Sequence, residues 1–346
     1  MKTLLTGLLP DEIAEHLALK PSFRGKQIFE WIHTGITSFS DMTNLPLDVR
    51  EGLKDISILS SEVSQEAVSE DGTSKITLKL HDGRFIESVV LVDDDKRKTA
   101  CLSSQVGCTM GCTFCKTATM GLLRNLSAGE IVEQFLHLKA RYGTISNIVF
   151  MGMGEPLANL DELIKSIEIL HHPKGQNIGL RKITVSTSGI VSKIKELADR
   201  ELPVRLAVSL ISADRETREK LMPVAGKEPL KNLKGSLLYF QERSKKRITI
   251  EYVLMAGVND TKEDAVKLRH FVDNLKVIVN VIPWNPVEGL PYTEPEDVVV
   301  NSFMNMLEEL SIPVTKRYKK GRSVNGACGQ LAVLQNSSDS SDSSRT

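Results

Sequence analysis

Three cysteines lie within eight residues, at Cys108, Cys112 and Cys115, with the spacing C-x3-C-x2-C. Thiolates bind zinc and iron–sulfur clusters, and a four-iron cluster held by three thiolates keeps one iron open to a further ligand. A structural zinc site would need a second C-x2-C pair or histidines, and no histidine lies within twenty residues of this loop. Gly107 and Gly111 would interrupt any helix or strand that buried these thiols in a core. The spacing therefore favours a cluster with an open iron.

The other two cysteines are isolated from the first three. Cys101 precedes the cysteine loop, and Cys328 lies among small residues near the end of the chain. Five cysteines, odd in number and clustered, are not typical of a disulfide framework, so we expect a reducing, cytoplasmic environment. The run Lys316–Arg322 is the strongest local concentration of positive charge.

Composition excludes few classes of function. Lys plus Arg and Asp plus Glu both number 44, so the net charge is zero, which argues against gross attraction to nucleic acid but allows a local basic patch. The chain opens with no secretory segment and contains no run of 18 apolar residues, so we expect no membrane partner. A length of 346 residues allows one large α/β domain and a small accessory one.

The elements that must position the cysteines alternate between strand and helix from Thr99 onward. Strands are predicted at 98–102, 146–151, 181–186, 203–209, 248–254, 277–282 and 313–318. Helices are predicted at 127–142, 159–171, 190–200, 214–244 in two pieces, 260–274 and 297–310. Alternation of this kind predicts a parallel sheet with helices outside it. Six units are fewer than the eight of a closed barrel, so the predicted fold is α/β, a partial (β/α)6 barrel.

Polar or glycine-bearing loops follow the predicted strands. The cysteine loop follows the first strand, Gly152–Pro156 the second and Ser186–Gly189 the third; Ser209 ends the fourth, and Trp284–Pro286 follows the sixth. Sites in barrels of this type lie at the carboxyl ends of the strands. We therefore expect these loops to form one site.

The N-terminal part has a different pattern. Residues 9–57 read as a small helical unit that could bind a nucleic-acid backbone or could merely cap the main fold. Residues 63–91 alternate with the period of strands around hairpin turns. Glu87 lies in this stretch, where a lone glutamate usually faces solvent. The predicted domains are a helical accessory domain, a β-hairpin extension, the barrel, a loop with Cys328 and a disordered tail, at 1–60, 61–93, 94–320, 321–335 and 336–346.

Several motifs together resemble the RlmN/Cfr family of radical S-adenosylmethionine (SAM) RNA methyltransferases, and most closely its RlmN branch. The resemblance runs from about residue 8 to residue 335. The motifs are Phe23–Trp31, Met42–Pro46, Cys101–Cys115, Arg124–Leu126, Met151–Pro156, Ser186–Gly189, Ile282–Pro286 and Ala327–Leu331.

The resemblance implies two cofactors. Cys108, Cys112 and Cys115 would hold a 4Fe-4S cluster, and SAM would bind its open iron, with two SAM molecules consumed per turnover. The SAM contacts implied by the motifs are Gly154, Glu155, Ser186, Ser209, Leu210, Ile211 and Asn285. Most members have Ser-Leu-His where this chain has Ser209-Leu210-Ile211. A contact at Ile211 can therefore involve only its main chain.

The resemblance also assigns three catalytic residues. Cys328 would take a methyl group from one SAM, a radical made from the second would activate that methyl, and its carbon would add to adenine as a covalent protein–RNA intermediate. Glu87 would then accept the ring proton, and Cys101 would release the product by forming a disulfide with Cys328. Nearby cations favour thiolates, and the Lys316–Arg322 run could supply them.

The family methylates adenosine at C2 or at C8. Val106, Trp284, Pro156 and the Thr117-Ala118 pair favour the C2 branch. That branch implies 23S ribosomal RNA at the peptidyl-transferase centre and tRNA 3′ of the anticodon as substrates, an electron donor such as flavodoxin, and a monomer. The alternatives are a Cfr-like C8 methyltransferase and a non-catalytic iron–sulfur or zinc protein that binds RNA.

Overall fold

Helices form the first part of the chain in the computed structural model, which describes residues 3–317 and 320–332. The α-helices α1, α2 and α3 span Pro10–His16, Phe23–Thr34 and Leu47–Leu53. Helix α1 ends at His16, shortly before Ala18, which takes a positive φ of 49°. The predicted disordered tail at 336–346 lies outside the described residues.

A ten-stranded sheet organises the rest of the chain. Its order is β1-β2-β3-β4-β7-β8-β9-β10-β11-β12. These strands span Glu62–Val68, Ser74–Lys79, Phe85–Val92, Lys98–Cys101, Asn147–Phe150, Ile183–Thr187, Arg205–Ser209, Ile248–Leu254, Val277–Pro283 and Val314–Lys316. The strands from β4 to β12 pair in parallel, whereas β1 to β4 pair antiparallel.

Helices connect the parallel strands. The α-helices α4 to α11 span Lys116–Thr119, Ala128–Tyr142, Leu160–His171, Val191–Asp199, Arg215–Leu221, Leu230–Ser244, Lys262–Val272 and Asp297–Glu309. Short 3-10 helices span Leu5–Gly7, Phe39–Asp41, Pro156–Asn159, Leu180–Lys182, Ala225–Lys227 and Arg322–Val324. The predicted partial barrel with a helical N-terminal region is confirmed. The domain boundaries stay predictions, and β3 and β4 join the hairpin and the barrel in one sheet through the pair Val89–Cys101.

Local sequence explains where the longest helices begin. Ser127 accepts a hydrogen bond from the Glu130 main chain, and the Glu130 carboxylate accepts one from Ser127, which closes a capping box at the start of α5. Thr261 and Asp264 form the same arrangement at the start of α10. The strands between the helices carry fully buried apolar residues at alternate positions, among them Ile183, Val185, Val279 and Val281.

A buried carboxylate fastens the N-terminal unit to the barrel. Glu133 on α5 is fully buried. It accepts hydrogen bonds from Thr6 Oγ1 and the Ser60 main chain at 3.0 Å, and from the Ser61 main chain at 2.9 Å. Burial raises the pKa of Glu133, and these donors oppose that shift. The glutamate therefore joins both ends of the N-terminal unit to one barrel helix.

A two-stranded ribbon, which the sequence did not predict, closes the base of the cysteine loop. Strands β5 and β6 span Gln105–Gly107 and Leu122–Asn125 and pair antiparallel. Gly107 has φ of 80°, and a Cβ there would lie 1.9 Å from the Gly121 carbonyl oxygen. Only glycine fits at this crossing.

In the described ranges, no helix has the length and apolar character needed to cross a membrane.

Candidate functional site

The cysteine loop rests on a small apolar cluster separate from the main core. The three cysteines pack against residues that include Met110, Phe114, Met222, Met255 and Trp284. Main-chain and side-chain hydrogen bonds fix the loop over this cluster: Thr113 N donates to Leu221 O at 3.0 Å, and Trp284 Nε1 donates to Phe114 O at 3.1 Å. The loop therefore has an apolar support, while the three cysteines themselves stay half-buried.

The chemistry of the thiols fits a cationic cluster. Burial raises the pKa of Cys108 to about 12 and also raises the pKa of Cys112 and Cys115, and the charge of a neighbouring cysteine raises each one further. The three thiols can therefore be deprotonated together only if a positively charged group binds between them. Within the described ranges, no three His, Cys, Asp or Glu side chains converge on one metal ion. A cluster does not require such convergence, because each thiolate binds a different iron.

A cavity lies at the carboxyl ends of the barrel strands, in front of the cysteine loop. It holds about 940 Å³ of space, its open mouth included. All three loop cysteines line this cysteine cavity, and so do most residues assigned to SAM, which are Gly154, Glu155, Ser186, Ser209, Ile211 and Asn285. The independent loops thus meet at the one location that the sequence predicted.

Glu155 ties two of these loops together. It is 3% exposed, and its carboxylate accepts hydrogen bonds from Leu157 N at 3.0 Å and from Ser188 N at 2.7 Å. Gly154 has φ of 102°, and a Cβ there would lie 2.6 Å from the Gln105 side chain. Asn285 Oδ1 is buried without a hydrogen-bond partner among the described residues. An unpartnered polar atom on this cavity fits a polar ligand such as SAM.

Arg218 on α8 supports the loops that follow β8 and β9. It is 1% exposed, and its guanidinium donates to the carbonyl oxygens of Ser188 at 2.8 Å, Ser209 at 3.2 Å and Leu210 at 2.5 Å. Burial lowers the pKa of Arg218 to about 10. Leu210, assigned to SAM by resemblance, is buried and does not line the cavity. The structure therefore gives Leu210 a main-chain role in these loops.

Ile211 takes an unusual conformation beside Arg218. Its φ is +64°, which a β-branched residue rarely adopts. Asn259 holds it there by donating from Nδ2 to the Ile211 carbonyl at 2.7 Å and to the Val253 carbonyl at 2.8 Å, while its Oδ1 accepts from Met255 N at 2.8 Å. The residue that replaces the family histidine is thus fixed through its main chain.

Cys328 faces the same cavity from the C-terminal loop. Asn285 Nδ2 donates to the Cys328 carbonyl at 3.2 Å, and Lys116 N, in the cysteine loop, donates to Gly329 O at 2.7 Å. Thr117 Oγ1 donates to Leu331 O at 2.5 Å. The loop with Cys328 is therefore attached both to the end of β11 and to the cysteine loop.

A second cavity adjoins the first on the side of β4 and β12. It is lined by Cys101, Lys316, Lys320 and Cys328, among others. Cys328 thus borders both cavities, and Cys101 borders only the second. All five cysteines are free, so the expected Cys101–Cys328 disulfide is absent from this structure. The two sulfurs nevertheless border one cavity.

Glu87 is buried at 4% exposure, so a solvent-facing position is wrong. Its carboxylate lies 2.7 Å from Lys75 Nζ and accepts a hydrogen bond from Ala332 N at 2.9 Å. Burial raises the pKa of Glu87, and Lys75 opposes this shift. Glu87 lines neither cavity in the part of the chain that the structure describes. The C-terminal segment covers it.

Sequence reasoning missed Lys75, Arg218, Glu251 and Asn259, and it included Arg317 only as one member of the basic run Lys316–Arg322. Glu251 on β10 is 5% exposed, lines the cysteine cavity and accepts a hydrogen bond from Asn280 at 2.8 Å. Its position in an otherwise apolar strand was a usable signal, because a parallel strand is buried on both faces. The others depend on long-range contacts without a local pattern.

The basic run at 316–322 is largely neutralised where it is described. Lys316 lies 2.9 Å from Asp297 and Lys320 lies 3.3 Å from Asp94, while Arg322 pairs with Glu294. Arg317 instead points to the wall between the two cavities. The run is therefore less available to RNA than its charge alone suggested.

Two family models match the chain. The Radical SAM superfamily model matches residues 102–269, and the ribosomal RNA large subunit methyltransferase N-terminal domain model matches residues 12–59. The first covers the cysteine loop and most barrel strands, and the second covers most of the helical N-terminal unit.

Curated and solved proteins are similar over nearly the whole chain. A probable dual-specificity RNA methyltransferase RlmN of Treponema pallidum is 48% identical over 94% of this chain and 96% of its own length. The dual-specificity RNA methyltransferase RlmN of Lawsonia intracellularis is 44% identical over 92% and 93%. The crystal structure of a radical SAM methyltransferase from Sphaerobacter thermophilus superposes with a TM-score of 0.91 at 38% identity, over 95% of this chain and 99% of that one.

Proposed function

Because the chain belongs to the RlmN family of radical SAM RNA methyltransferases, we propose that it methylates C2 of adenosine in 23S ribosomal RNA and in tRNA. One observation supports the proposal most strongly: Cys328 borders the same cavity as Cys108, Cys112 and Cys115. A methyl-accepting sulfur must lie where SAM binds, and that cavity also contains the residues assigned to SAM.

The proposed cofactors are a 4Fe-4S cluster on the three loop cysteines and SAM, of which each turnover consumes two. Bound there, they supply a methyl group and the radical that activates it. Gly154, Glu155, Ser186, Ser209, Ile211 and Asn285 would hold SAM, with Leu210 acting through its main chain. The apolar cluster beneath the loop would exclude water from this reaction.

Cys328 acts as nucleophile and carrier in this proposal. Its sulfur accepts a methyl group and keeps it at the boundary of the two cavities, where the methyl carbon can reach an adenine ring. Asn285 and Lys116 fix the main chain on either side of this sulfur. A covalent link between Cys328 and the base then holds the RNA during the later proton transfer.

Glu87 and Cys101 complete the reaction. The Glu87 carboxylate accepts the proton from C2, a role that a buried glutamate with a raised pKa can perform near neutral pH. For this, the segment around Ala332 must move off the carboxylate. The Cys101 sulfur then attacks Cys328 and frees the methylated RNA, with a transient disulfide between them.

The remaining parts of the proposal follow the family. Trp284, a C2-branch residue, anchors the cysteine loop through Phe114, and Val106 is buried in the ribbon. We propose a cytoplasmic monomer that receives electrons from a small donor such as flavodoxin. The N-terminal unit would contribute to RNA binding.

Nucleoside analysis tests the function. Ribosomal RNA and tRNA would be isolated from cells with and without the gene for this chain and digested to nucleosides for mass spectrometry. We expect 2-methyladenosine in both RNAs only when the chain is present. Methylation at C8 instead, or no methylated adenosine, would contradict the proposal. Anaerobic purification should also give a brown protein, and removal of its iron should abolish methyl transfer.

A further inference from the structure

The two cavities share one wall. Of the described residues, Met151, Ile282, Asn285, Arg317 and Cys328 line both cavities. Arg317 has the one charged side chain among these five. The sequence places Arg317 only within the basic run Lys316–Arg322, without singling it out, and it does not belong to the residues assigned to SAM or to the cluster.

Arg317 is held in this wall from two sides. Its main-chain N donates to Val281 O at 3.0 Å, as a continuation of the β11–β12 pairing. Its Nη1 lies 3.5 Å from Met151 Sδ. Met151 also donates a main-chain hydrogen bond to the sulfur of Cys101. The guanidinium and the Cys101 sulfur therefore share one neighbour.

Anionic or potentially anionic groups surround the guanidinium. The charge of Cys328 is the largest influence on Arg317 and raises its pKa, and Glu251 and Cys101 act in the same direction against burial. The carboxylate of Glu251 faces the cysteine cavity, whereas Cys101 faces the second cavity. Arg317 thus lines the cysteine cavity together with Glu251 and Cys328, and the second cavity together with Cys101 and Cys328.

We propose that Arg317 is the positioning residue for the two cysteines outside the cluster, and that its guanidinium holds Cys101 as a thiolate beside Cys328. This inference rests on the proposed function, in which Cys101 must attack Cys328. Arginine suits this task, because it stays protonated and is weakly hydrated when it lies next to a sulfur anion.

Arg317 would assist the attack of the Cys101 sulfur on Cys328, which releases the methylated RNA. The Cys101 thiolate attacks the Cys328 sulfur and forms the S–S bond. The bond from that sulfur to the carbon attached to adenine breaks, and its electron pair stays with the carbon. A proton from water completes the methyl group. The two sulfurs lose two electrons in total, and the carbon gains two.

The charges around Cys101 explain why assistance is needed. Burial raises the pKa of Cys101 to about 12, and a charge on Cys328 raises it further, while Arg317 and the Met151 N–H lower it. Other charged groups lie on the elements next to Cys101. Glu87 pairs with Lys75 on the β2–β3 side. Asp93, Lys316 and Lys320 line the second cavity, and both lysines are also paired with aspartates.

Alkylation of Cys101 tests the proposal without RNA. The holoprotein, with its cluster assembled anaerobically, would react with iodoacetamide at one mildly alkaline pH, and mass spectrometry would quantify modified Cys101. We expect Arg317→Gln to slow this alkylation by about tenfold, as a pKa higher by one unit requires. Arg317→Lys should restore most of the rate. Lys316→Gln, on the same cavity but not on the shared wall, should leave it unchanged.

A second variant separates this role from simple neutralisation of Glu251. Arg317→Gln alone leaves a buried carboxylate without its cation and can destabilise the fold. Glu251→Gln/Arg317→Gln removes both charges and should alkylate as slowly as Arg317→Gln. If Cys101 in the double variant were alkylated at the wild-type rate, the proposal would be overturned. It would also be overturned if Lys316→Gln slowed the alkylation as much as Arg317→Gln does. Because no RNA is present, failure of the proposed function would appear in the nucleoside analysis instead.

Discussion

Buried Arg218 and half-buried Arg317 act on different sides of the candidate site and have different partners. Arg218 on the β8–β9 side donates to the carbonyls of Ser188, Ser209 and Leu210. Arg317 on the β4–β12 side faces Cys328, and also Glu251 and Cys101. Burial lowers the pKa of Arg218, whereas the anionic neighbours raise that of Arg317.

The difference between Arg218 and Arg317 shows that the role of an arginine depends on the groups that surround its guanidinium. Carbonyl oxygens accept hydrogen bonds from the terminal nitrogens of Arg218, while its Nε has no partner among the described residues. Burial outweighs the charge of Cys112 in setting the pKa of Arg218, so this arginine mainly holds strand ends together. Thiols and a carboxylate give Arg317 partners whose own charge state it can change. In the proposed function, the wall held by Arg218 (the structural wall) would shape the SAM site, and the wall with Arg317 (the chemical wall) would control the reaction of Cys101 with Cys328. The predictions below test this division.

The largest expected effect lies on the chemical wall. Cys328→Ala should reduce methyl transfer to background, because no sulfur remains to carry the methyl group, while the cluster still assembles. Methyl transfer to RNA and the visible absorbance of the cluster would be measured together. Cys101→Ala serves as the matched variant and should accumulate a protein–RNA adduct. Free turnover by Cys101→Ala without an adduct would remove Cys101 from the mechanism.

Arg218→Met should act on structure and SAM binding together. It removes the donors from three carbonyls on two loops, and we expect a loss of about 2 kcal/mol or more in stability, with weaker SAM binding. Arg215→Met on the same helix replaces an exposed arginine and should change neither. Chemical denaturation and calorimetric SAM titration would measure both. Normal SAM affinity in Arg218→Met would mean that this wall does not depend on the arginine.

The sequence predicted the strands and the cysteine loop better than the long-range contacts that support them. Strand β10 was predicted at its observed bounds, because a run of β-branched residues marks a buried parallel strand. The cysteines were predicted because their spacing alone indicates a cluster. Arg218 was not, because its contact with Ser188 spans thirty residues and follows no period. The β5–β6 ribbon was missed because its strands are three and four residues long.

Replacement of Lys75 should change the pH dependence of the reaction. Glu87 must be ionised to accept a proton, and Lys75 lowers its otherwise raised pKa. Lys75→Met should therefore move the acidic limb of the methylation rate to higher pH, with little change on the alkaline side. Lys79→Met on the same strand removes a pairing with exposed Glu62 and is the control. Identical profiles for the two variants would show that Lys75 does not act through Glu87.

The smallest expected effect concerns the strain at Ile211 on the structural wall. An L-residue at φ of +64° pays about 1 kcal/mol or more that glycine does not. Ile211→Ala and Ile211→Gly remove nearly the same buried surface, so their difference reports this strain. We expect the glycine variant to be equally stable or up to about 1 kcal/mol more stable.

Ile250, buried in β10, provides the matched pair. There the backbone is an ordinary strand, and glycine should be less stable than alanine by roughly 0.5–1 kcal/mol. Denaturant titrations of the four variants would give both differences. If alanine were favoured equally at both positions, the conformation of Ile211 would store no strain. If the order reverses at Ile211, then Asn259 and Arg218 hold that residue against its own preference, as a wall built to fix main-chain contacts requires.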